Sequence, residues 1–157
     1  MKILNPYNNL EGHHCFGCSA RNPIGLKLDF ELEDDTVIAR WMPHDDYMGF
    51  HNVLHGGIST TLLDEVAFWA VATLLGSSGV TSQIDLKFLK PVLIPKGEIT
   101  VTAKLKERCG PHEYKFKTQL FDGAGTLCVE GDVTYFVYSQ AVAEYKFHYP
   151  GKAAFGV

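Results

Sequence analysis

The stretch His55–Leu75, with the sequence HGGISTTLLDEVAFWAVATLL, constrains the arrangement of the rest of the chain. Apolar residues recur at helical spacing from Ile58 to Leu75, and Gly76 follows them. This pattern predicts a helix of about five turns. Its apolar residues cover nearly the whole circumference, so other elements must wrap around it. Two acids, Asp64 and Glu65, interrupt the apolar pattern.

Segments of alternating apolar and polar residues lie on both sides of the predicted helix. Before it, the alternation predicts a hairpin whose strands lie within Gly25–Asp34 and at Thr36–Trp41. After it, four longer strands are predicted, each bounded by Gly, Pro or Asp: Val80–Lys90, Gly97–Arg108, Glu113–Phe121 and Thr126–Tyr138. This order of elements predicts an α+β fold in which the buried helix lies against the concave face of an antiparallel sheet.

Length and composition predict a single domain that spans residues 1–157, in which 46% of residues are hydrophobic and 20% are charged. Residues 1–24 are interpreted as an N-terminal loop segment and residues 141–157 as an irregular tail. The net charge of -4 and the scattered basic residues argue against a nucleic-acid partner. The longest apolar stretch, Val66–Leu75, is far shorter than the roughly 20 residues that cross a bilayer, and Met1–Leu10 lacks the pattern of a signal peptide, so we expect a cytoplasmic protein without a membrane span.

The start of the predicted helix has the composition of an oxyanion-binding site. Gly56 and Gly57 let a ligand approach free backbone N–H groups, where the helix dipole favours developing negative charge. Further along, Asp64 and Glu65 lie among apolar residues, and desolvation should raise the pKa of whichever carboxyl group faces inward. A purely structural role would leave two charges on a buried helix unexplained, because burying a charge without a partner is costly. We therefore favour a catalytic role.

The chain from Cys15 to Tyr138 resembles the hot-dog thioesterases of the phenylacetate-degradation and 4-hydroxybenzoyl-CoA type. The matching pieces are Cys15-Phe16-Gly17-Cys18, Asn22–Leu26, His55-Gly56-Gly57, Asp64-Glu65 and Phe88–Pro91. The resemblance implies a long central helix wrapped by a curved antiparallel sheet of five or six strands. It also implies hydrolysis of an acyl- or aryl-CoA thioester to free acid and CoA, with no cofactor other than the CoA of the substrate.

The resemblance assigns roles around the helix. Asp64 is the expected general base or nucleophile, and its neighbour Glu65 is the rival acid. The Gly56 N–H is expected to polarise the thioester carbonyl, with Gly57 and the helix dipole assisting. The remaining members of this predicted catalytic set are His55, which would support the turn, and Thr81, which would orient the water or the nucleophile.

The resemblance is less specific about the substrate. Some family members have Asn or Gln at the position of Gly49, so we consider Asn52 or His51 as substitutes that hold the water. Four large residues are candidates for the acyl-side wall or for plain core: Met48, Phe50, Phe68 and Trp69. The family further implies a homodimer or a dimer of dimers, with the pantetheine arm of acyl-CoA threading between subunits.

Two other functions remain open on the sequence alone. The first is an acyl-thioester dehydratase or hydratase on the same fold, which would use His51 and Glu65. The second is a non-catalytic acyl-CoA-binding module. Serine hydrolase, zinc protease and nucleotidase motifs are absent from the sequence.

The pair Cys15 and Cys18, beside His13 and His14, has a spacing that suits zinc. Because there is no second Cys pair nearby, we expect no metal here and interpret the segment as a loop packed near the first strand. A redox role is also not favoured, because no βαβ pattern surrounds the pair.

Overall fold

The computed structural model describes all residues from Met1 to Val157. It contains seven strands and two α-helices. In chain order these are β1 (Lys2–Ile3), β2 (Phe30–Glu33), β3 (Thr36–Trp41), α1 (Gly56–Ala70), β4 (Gly79–Phe88), β5 (Ile99–Arg108), β6 (Glu113–Phe121), β7 (Leu127–Val137) and α2 (Gln140–Phe147).

The strands form one antiparallel sheet in the order β1-β2-β3-β5-β6-β7-β4, and α1 packs against five of them. The predicted α+β arrangement is confirmed. Strands β3 and β6 have the predicted bounds, and the other three long strands differ from prediction by at most two residues. The sheet has one strand more than the expected five or six, because the two-residue β1 pairs with β2.

Helix α1 begins two residues earlier than the pattern indicated. His55 caps it, and Gly56 is its first residue. At the other end the helix continues as a π-helical turn, Val71–Leu75, and Gly76 ends it with a left-handed φ of 65°. The whole segment Gly56–Leu75 is the one helix long and apolar enough to span a membrane, with 20 residues and a mean hydropathy of 1.4. Its apolar composition is accounted for by packing, because 56% of that stretch is buried inside the domain.

The first predicted strand, Gly25–Asp34, is wrong over its first half. Only Phe30–Glu33 pairs as β2. Leu26 and Leu28 are buried as the alternation requires, but their N–H groups donate to Phe16 and Gly17 at 2.8 and 2.9 Å. The backbone here therefore holds the loop Cys15–Cys18, called the Cys loop below, instead of extending the hairpin.

The C-terminal tail is not irregular, as the sequence suggested. It contains α2 and a short 3-10 helix at Lys152–Phe155. Phe155 is fully buried against Trp69, with ring centroids 5.6 Å apart. The Tyr149 hydroxyl donates to the Ala72 carbonyl at 2.8 Å and so satisfies a carbonyl of the π-helical turn. The tail thus closes the C-terminal end of the central helical segment.

Candidate active site

The first turn of α1 has one backbone donor that the protein leaves free. His55 Nδ1 accepts a hydrogen bond from the Gly57 N–H at 2.8 Å, so its ring proton lies on Nε2. The N–H groups of Ile58 and Ser59 donate to the His55 carbonyl. No protein acceptor takes the Gly56 N–H, and Gly56 is exposed. This donor at the positive end of a helix dipole is suited to bind a carbonyl oxygen or an oxyanion.

A groove opens beside this donor. It has a volume of about 410 Å³, and its lining includes Gly49, Phe50, His55 and Gly56. Phe50 is 87% exposed, so it stands at the edge of the groove and does not belong to the core. Phe88 lies across from the helix start, 3.6 Å from where a Cβ on Gly56 would be. The space around the free N–H is therefore apolar but open to a ligand.

The carboxyl group of Asp64 is held by two hydroxyl groups. Its Oδ1 accepts from Thr81 Oγ1 at 2.7 Å and from the Tyr135 hydroxyl at 2.8 Å. Burial and the charge of Asp64 raise the pKa of Tyr135, which keeps this hydroxyl protonated as a donor. Oδ2 makes no hydrogen bond within the protein, so one carboxylate oxygen is oriented and free to take a proton or to attack.

The next residue, Glu65, has quite different neighbours. Its two oxygens lie 3.5 and 3.6 Å from Cys15 Sγ, and Oε1 accepts from the Trp69 indole N–H at 3.2 Å. Burial, followed by the negative charge of Cys15, raises the pKa of Glu65 to about 8. The inward-facing acid whose pKa desolvation was expected to raise is therefore Glu65, and it faces the N-terminal segment.

The pKa values of the two thiols in the Cys loop are shifted in opposite directions. A hydrogen bond from the Cys18 side chain is the largest factor that lowers the pKa of Cys15, and the N–H groups of Gly17 and Cys18 add to it. The same contact, together with burial, raises the pKa of Cys18. Burial also lowers the pKa of His13, whose Nε2 lies 4.0 Å from Cys18 Sγ.

A cavity of about 540 Å³ connects the two acid environments. Thr81 and Tyr135, which hold Asp64, form part of its wall, and Glu65 forms another part. Most of the remaining lining is apolar and comes from the N-terminal segment, α1, β4 and α2: Tyr7, Leu10, Phe68, Val80 and Phe147. A cavity of this size and lining suits an acyl or aryl group.

The predicted substrate-side residues fall in three places. Phe68 lines the large cavity. Trp69 is fully buried and stacks on Phe30 with ring centroids 4.5 Å apart, so it belongs to the core and not to the cavity wall. The others lie in or beside the loop before α1: Met48, Phe50, His51 and Asn52. His51 is exposed, and Asn52 has a left-handed φ of 63° in a turn.

Two residues of the site were not predicted from sequence. Tyr135, which holds Asp64, lies on β7, and only its place in the alternating apolar pattern of that strand marked it as inward-facing. Tyr7 lies in the predicted N-terminal loop segment, and its hydroxyl is buried without a protein hydrogen-bond partner. A buried donor of this kind is available to a ligand or a water in the cavity that Tyr7 lines.

Comparison with known proteins identifies the family of the chain. The family model described as the thioesterase superfamily matches residues 51–109. A putative esterase of Saccharolobus solfataricus is 30% identical over 124 residues, which cover 78% of this chain and 80% of that protein. A shorter match to an uncharacterised protein of Schizosaccharomyces pombe is 40% identical over 52 residues, 32% of this chain and 30% of that protein.

Two solved structures illustrate the fold. AziG of S. sahachiroi superposes with a TM-score of 0.64 and 28% identity, covering 73% of this chain and 94% of AziG. A hypothetical thioesterase of Streptococcus pneumoniae, whose crystal structure contains coenzyme A, gives a TM-score of 0.65 at 21% identity, covering 72% and 87% of the two chains. The chain belongs to the thioesterase superfamily, and the hot-dog fold expected from the sequence is confirmed.

Proposed function

We propose that this protein hydrolyses an acyl-CoA or aryl-CoA thioester to the free acid and CoA. The observation that carries the proposal is the Asp64 carboxylate, whose Oδ1 is held by two hydroxyl groups and whose Oδ2 has no partner in the protein. The two residues that hold it, Thr81 and Tyr135, line the apolar cavity. Family membership supports thioester chemistry. The coenzyme A in the pneumococcal relative supports CoA as the thiol part of the substrate.

The reaction needs an acid, a carbonyl-binding donor and a water, and no cofactor. The thioester oxygen accepts from the Gly56 N–H, which stabilises the oxyanion as the carbonyl carbon becomes tetrahedral. With Asp64 as general base, Oδ2 takes a proton from the attacking water, the C–S bond breaks, and the CoA sulfur leaves with a proton. With Asp64 as nucleophile, Oδ2 attacks the carbonyl carbon instead, and the C–S bond breaks as CoA leaves as a thiolate. Water then hydrolyses the mixed anhydride, which releases the acid and restores the Asp64 carboxylate.

One chain alone does not place these groups around a single carbonyl. Gly56 and Asp64 are eight residues apart on α1, so they lie roughly 12 Å apart along its axis. A reacting carbonyl must lie within about 3 Å of the donor and of the nucleophile, or one water molecule away from a general base. We therefore propose that the helix start of one subunit meets the Asp64 of a second copy.

The edge of the sheet supports such a pairing. β4 is a ten-residue edge strand paired only with β7, and nearly all of its residues are exposed. Val80, Ile84 and Phe88 on it are 43, 38 and 54% exposed. A long edge with apolar side chains is a template for pairing with another strand. The proposed homodimer joins two β4 edges and covers Thr81, and a dimer of dimers remains compatible with it.

The large cavity is the proposed site for the acyl group, and the groove at Gly56 is where the pantetheine arm passes. Similarity to the phenylacetate-degradation and 4-hydroxybenzoyl-CoA thioesterases makes aryl-CoAs the first substrates to try, and medium-chain fatty acyl-CoAs fit a cavity of the same volume. Glu65 is engaged by Cys15 and Trp69, so its contacts give no support to the dehydratase that would pair it with His51.

The test is release of free thiol from a panel of aryl-CoAs and fatty acyl-CoAs by wild type, Asp64→Asn and Glu65→Gln. Asp64→Asn should lose at least about a hundredfold in kcat, the scale of a lost general base. Glu65→Gln should retain most of the activity. Asp29→Asn, which changes an exposed acid paired with Lys2, is the matched control.

Three outcomes contradict the proposal. No thiol release from any substrate, with ligand-induced stabilisation, would favour a binding module. Hydration or dehydration of an intact enoyl- or hydroxyacyl-thioester that depends on Glu65 would favour the dehydratase. Hydrolysis that survives Asp64→Asn would remove the proposed role of this acid.

A further inference from the structure

Three potential metal ligands meet where the N-terminal segment crosses α1, and a fourth lies beside one of them. The side-chain ligand atoms of Cys15, Cys18 and Glu65 all lie within 4.8 Å of one another. His13 Nε2 lies 4.0 Å from Cys18 Sγ. His13 and the two cysteines come from one short loop and Glu65 from the central helix, so the cluster exists only in the folded protein.

The loop that carries the cysteines is held in place by the rest of the domain. The Ser19 N–H donates to the Cys15 carbonyl at 3.1 Å, which closes the turn. The Leu26 and Leu28 N–H groups donate to the carbonyls of Phe16 and Gly17, and both leucines are buried. The two sulfur atoms are therefore presented by a supported turn and not by a free terminus.

Gly17 gives the Glu65 carboxyl group room to reach the loop. Its φ is not in the left-handed region, so backbone conformation does not require glycine here. A Cβ atom at this position would lie 2.6 Å from Glu65 Cγ, and Glu65 would have to move. Gly17, one of the two residues between the cysteines, is thus the one that lets the carboxylate approach the sulfur atoms.

The cluster lacks a positive charge. Glu65 forms no salt bridge, and its one nitrogen donor is the uncharged Trp69 indole. Negative charge on the two thiols and the carboxyl group has no neighbouring cation to offset it, and those of the three that are uncharged hold protons in the place that a cation could take. A divalent cation would replace those protons and offset the charge.

We propose that Cys15, Cys18, Glu65 and His13 bind one zinc ion. Zinc takes sulfur at about 2.3 Å and nitrogen or oxygen at about 2.0–2.2 Å in a tetrahedral arrangement. Ligands of one such ion then lie about 3.5–3.8 Å from one another. The Cys15–Glu65 separations of 3.5 and 3.6 Å already match this spacing. His13 Nε2, 4.0 Å from Cys18 Sγ, stands beside these three ligands and must move towards them to complete the tetrahedron. Two thiolates select zinc over magnesium or calcium.

The ion ties the N-terminal segment to α1 and takes no part in the proposed hydrolysis. His13, Cys15 and Cys18 all line the large cavity, so zinc fixes the position of that wall. The expectation of no metal rested on the missing second Cys pair. In the folded chain the Glu65 carboxyl group, 50 residues after Cys15, lies beside the two cysteines. No spacing in the sequence indicates this contact.

The experiment is metal binding to the whole protein. Wild type is reduced, stripped with a chelator and titrated with Zn²⁺ alone, and bound metal is measured by mass spectrometry of the native protein. Co²⁺ in place of Zn²⁺ reports thiolate ligation through its absorption spectrum. We expect one bound ion per chain. With Co²⁺, we expect the absorption bands of charge transfer from thiolate to cobalt. Zn²⁺ should raise the urea midpoint of wild type, because it binds the folded state.

Variants assign the ligands. Cys15→Ser, Cys18→Ser and Glu65→Gln should each weaken binding, the cysteine variants by at least about a hundredfold. Cys109→Ser, which changes an exposed cysteine outside the cluster, should bind as wild type. If a cysteine variant fails to fold, the cobalt spectrum and stoichiometry of wild type decide. The proposal is overturned by folded protein that binds no zinc, by binding that depends on Cys109, or by a Cys15–Cys18 disulfide in freshly isolated protein.

Discussion

Asp64 and Glu65 are consecutive residues of α1, yet their side chains have chemically different neighbours. Successive residues of a helix point about 100° apart, so one acid faces the strands and the other faces the N-terminal segment. Asp64 accepts from two hydroxyl groups on β4 and β7. Glu65 lies against two thiols and an indole N–H.

The difference shows how one helix can carry two independent sites. Hydroxyl donors stabilise a carboxylate and orient it, which suits an acid that reacts. Thiols and a carboxyl group that lie together repel one another when they are ionised, and a bound cation relieves this repulsion. The surroundings of Glu65 therefore suit an acid that binds a cation. Placing the reactive acid at the edge strand also puts it where a second copy can supply the missing oxyanion donor.

The largest effect on the Asp64 side is expected from removing the Gly56 N–H. Gly56→Pro deletes this donor, and Pro is favoured at the first position of a helix. His55, with φ of -57° and ψ of 133°, already has a backbone conformation that precedes Pro without strain. We expect kcat for thioester hydrolysis to fall about a hundredfold to a thousandfold. Gly56→Ala, which keeps the N–H and has 3.6 Å to Phe88, should lose much less.

Mixing variants tests whether the two subunits share a site. Gly56→Pro and Asp64→Asn subunits, unfolded and refolded together, should form mixed dimers that contain one intact site. Random pairing then restores about a quarter of wild-type activity, because half of the dimers are mixed. Equal losses in Gly56→Pro and Gly56→Ala would point to crowding at Phe88, and a mixture without recovery would place both groups in one chain.

A smaller loss of kcat is expected from removing either of the two hydroxyl groups that position Asp64. Thr81→Val and Tyr135→Phe each remove a hydrogen bond to a charged group, and kcat should fall about tenfold in each, with KM nearly unchanged. Ser82→Ala is the matched control, because the Ser82 hydroxyl donates to the backbone carbonyl of Thr134. Zinc binding should be unaffected by all three. A rise in KM with unchanged kcat would make these residues part of the acyl wall instead.

Sequence reasoning succeeded where the physical signal is local. β3 and β6 have the predicted bounds, because alternation and turn residues at both ends define them. The first strand was predicted too long. Leu26 and Leu28 fit the alternation of a strand, but their N–H groups donate to carbonyls of the Cys loop. Alternation reports which side chains are buried, and it does not report which backbone they pair with.

The site divides in the same way. His55 caps α1, and Gly56 and the two acids lie on it, so spacing alone places them relative to one another. The catalytic roles given to Asp64 and Gly56 follow from the family resemblance and stay predictions. Tyr135 lies 71 residues after Asp64, and only strand register brings its hydroxyl to the carboxylate. The approach of Cys15 to Glu65 likewise depends on how the N-terminal segment folds across α1, for which the sequence contains no periodic signal.

The smallest effect on hydrolysis is expected from a change confined to the Glu65 side. Gly17→Ala places a Cβ atom against the Glu65 carboxyl group, so Glu65 must shift. The free energy of unfolding should fall by about 1–3 kcal/mol, the range for overpacking, and zinc should bind more weakly. Because Asp64 and its two hydroxyl partners are untouched, kcat should stay within about threefold of wild type.

Urea denaturation and thiol release on the same preparation measure both quantities, with Gly110→Ala as the control at an uncrowded glycine. A loss of kcat as large as that of Tyr135→Phe would show that the two faces are coupled through the backbone of α1, and the independence of the two sites would then fail.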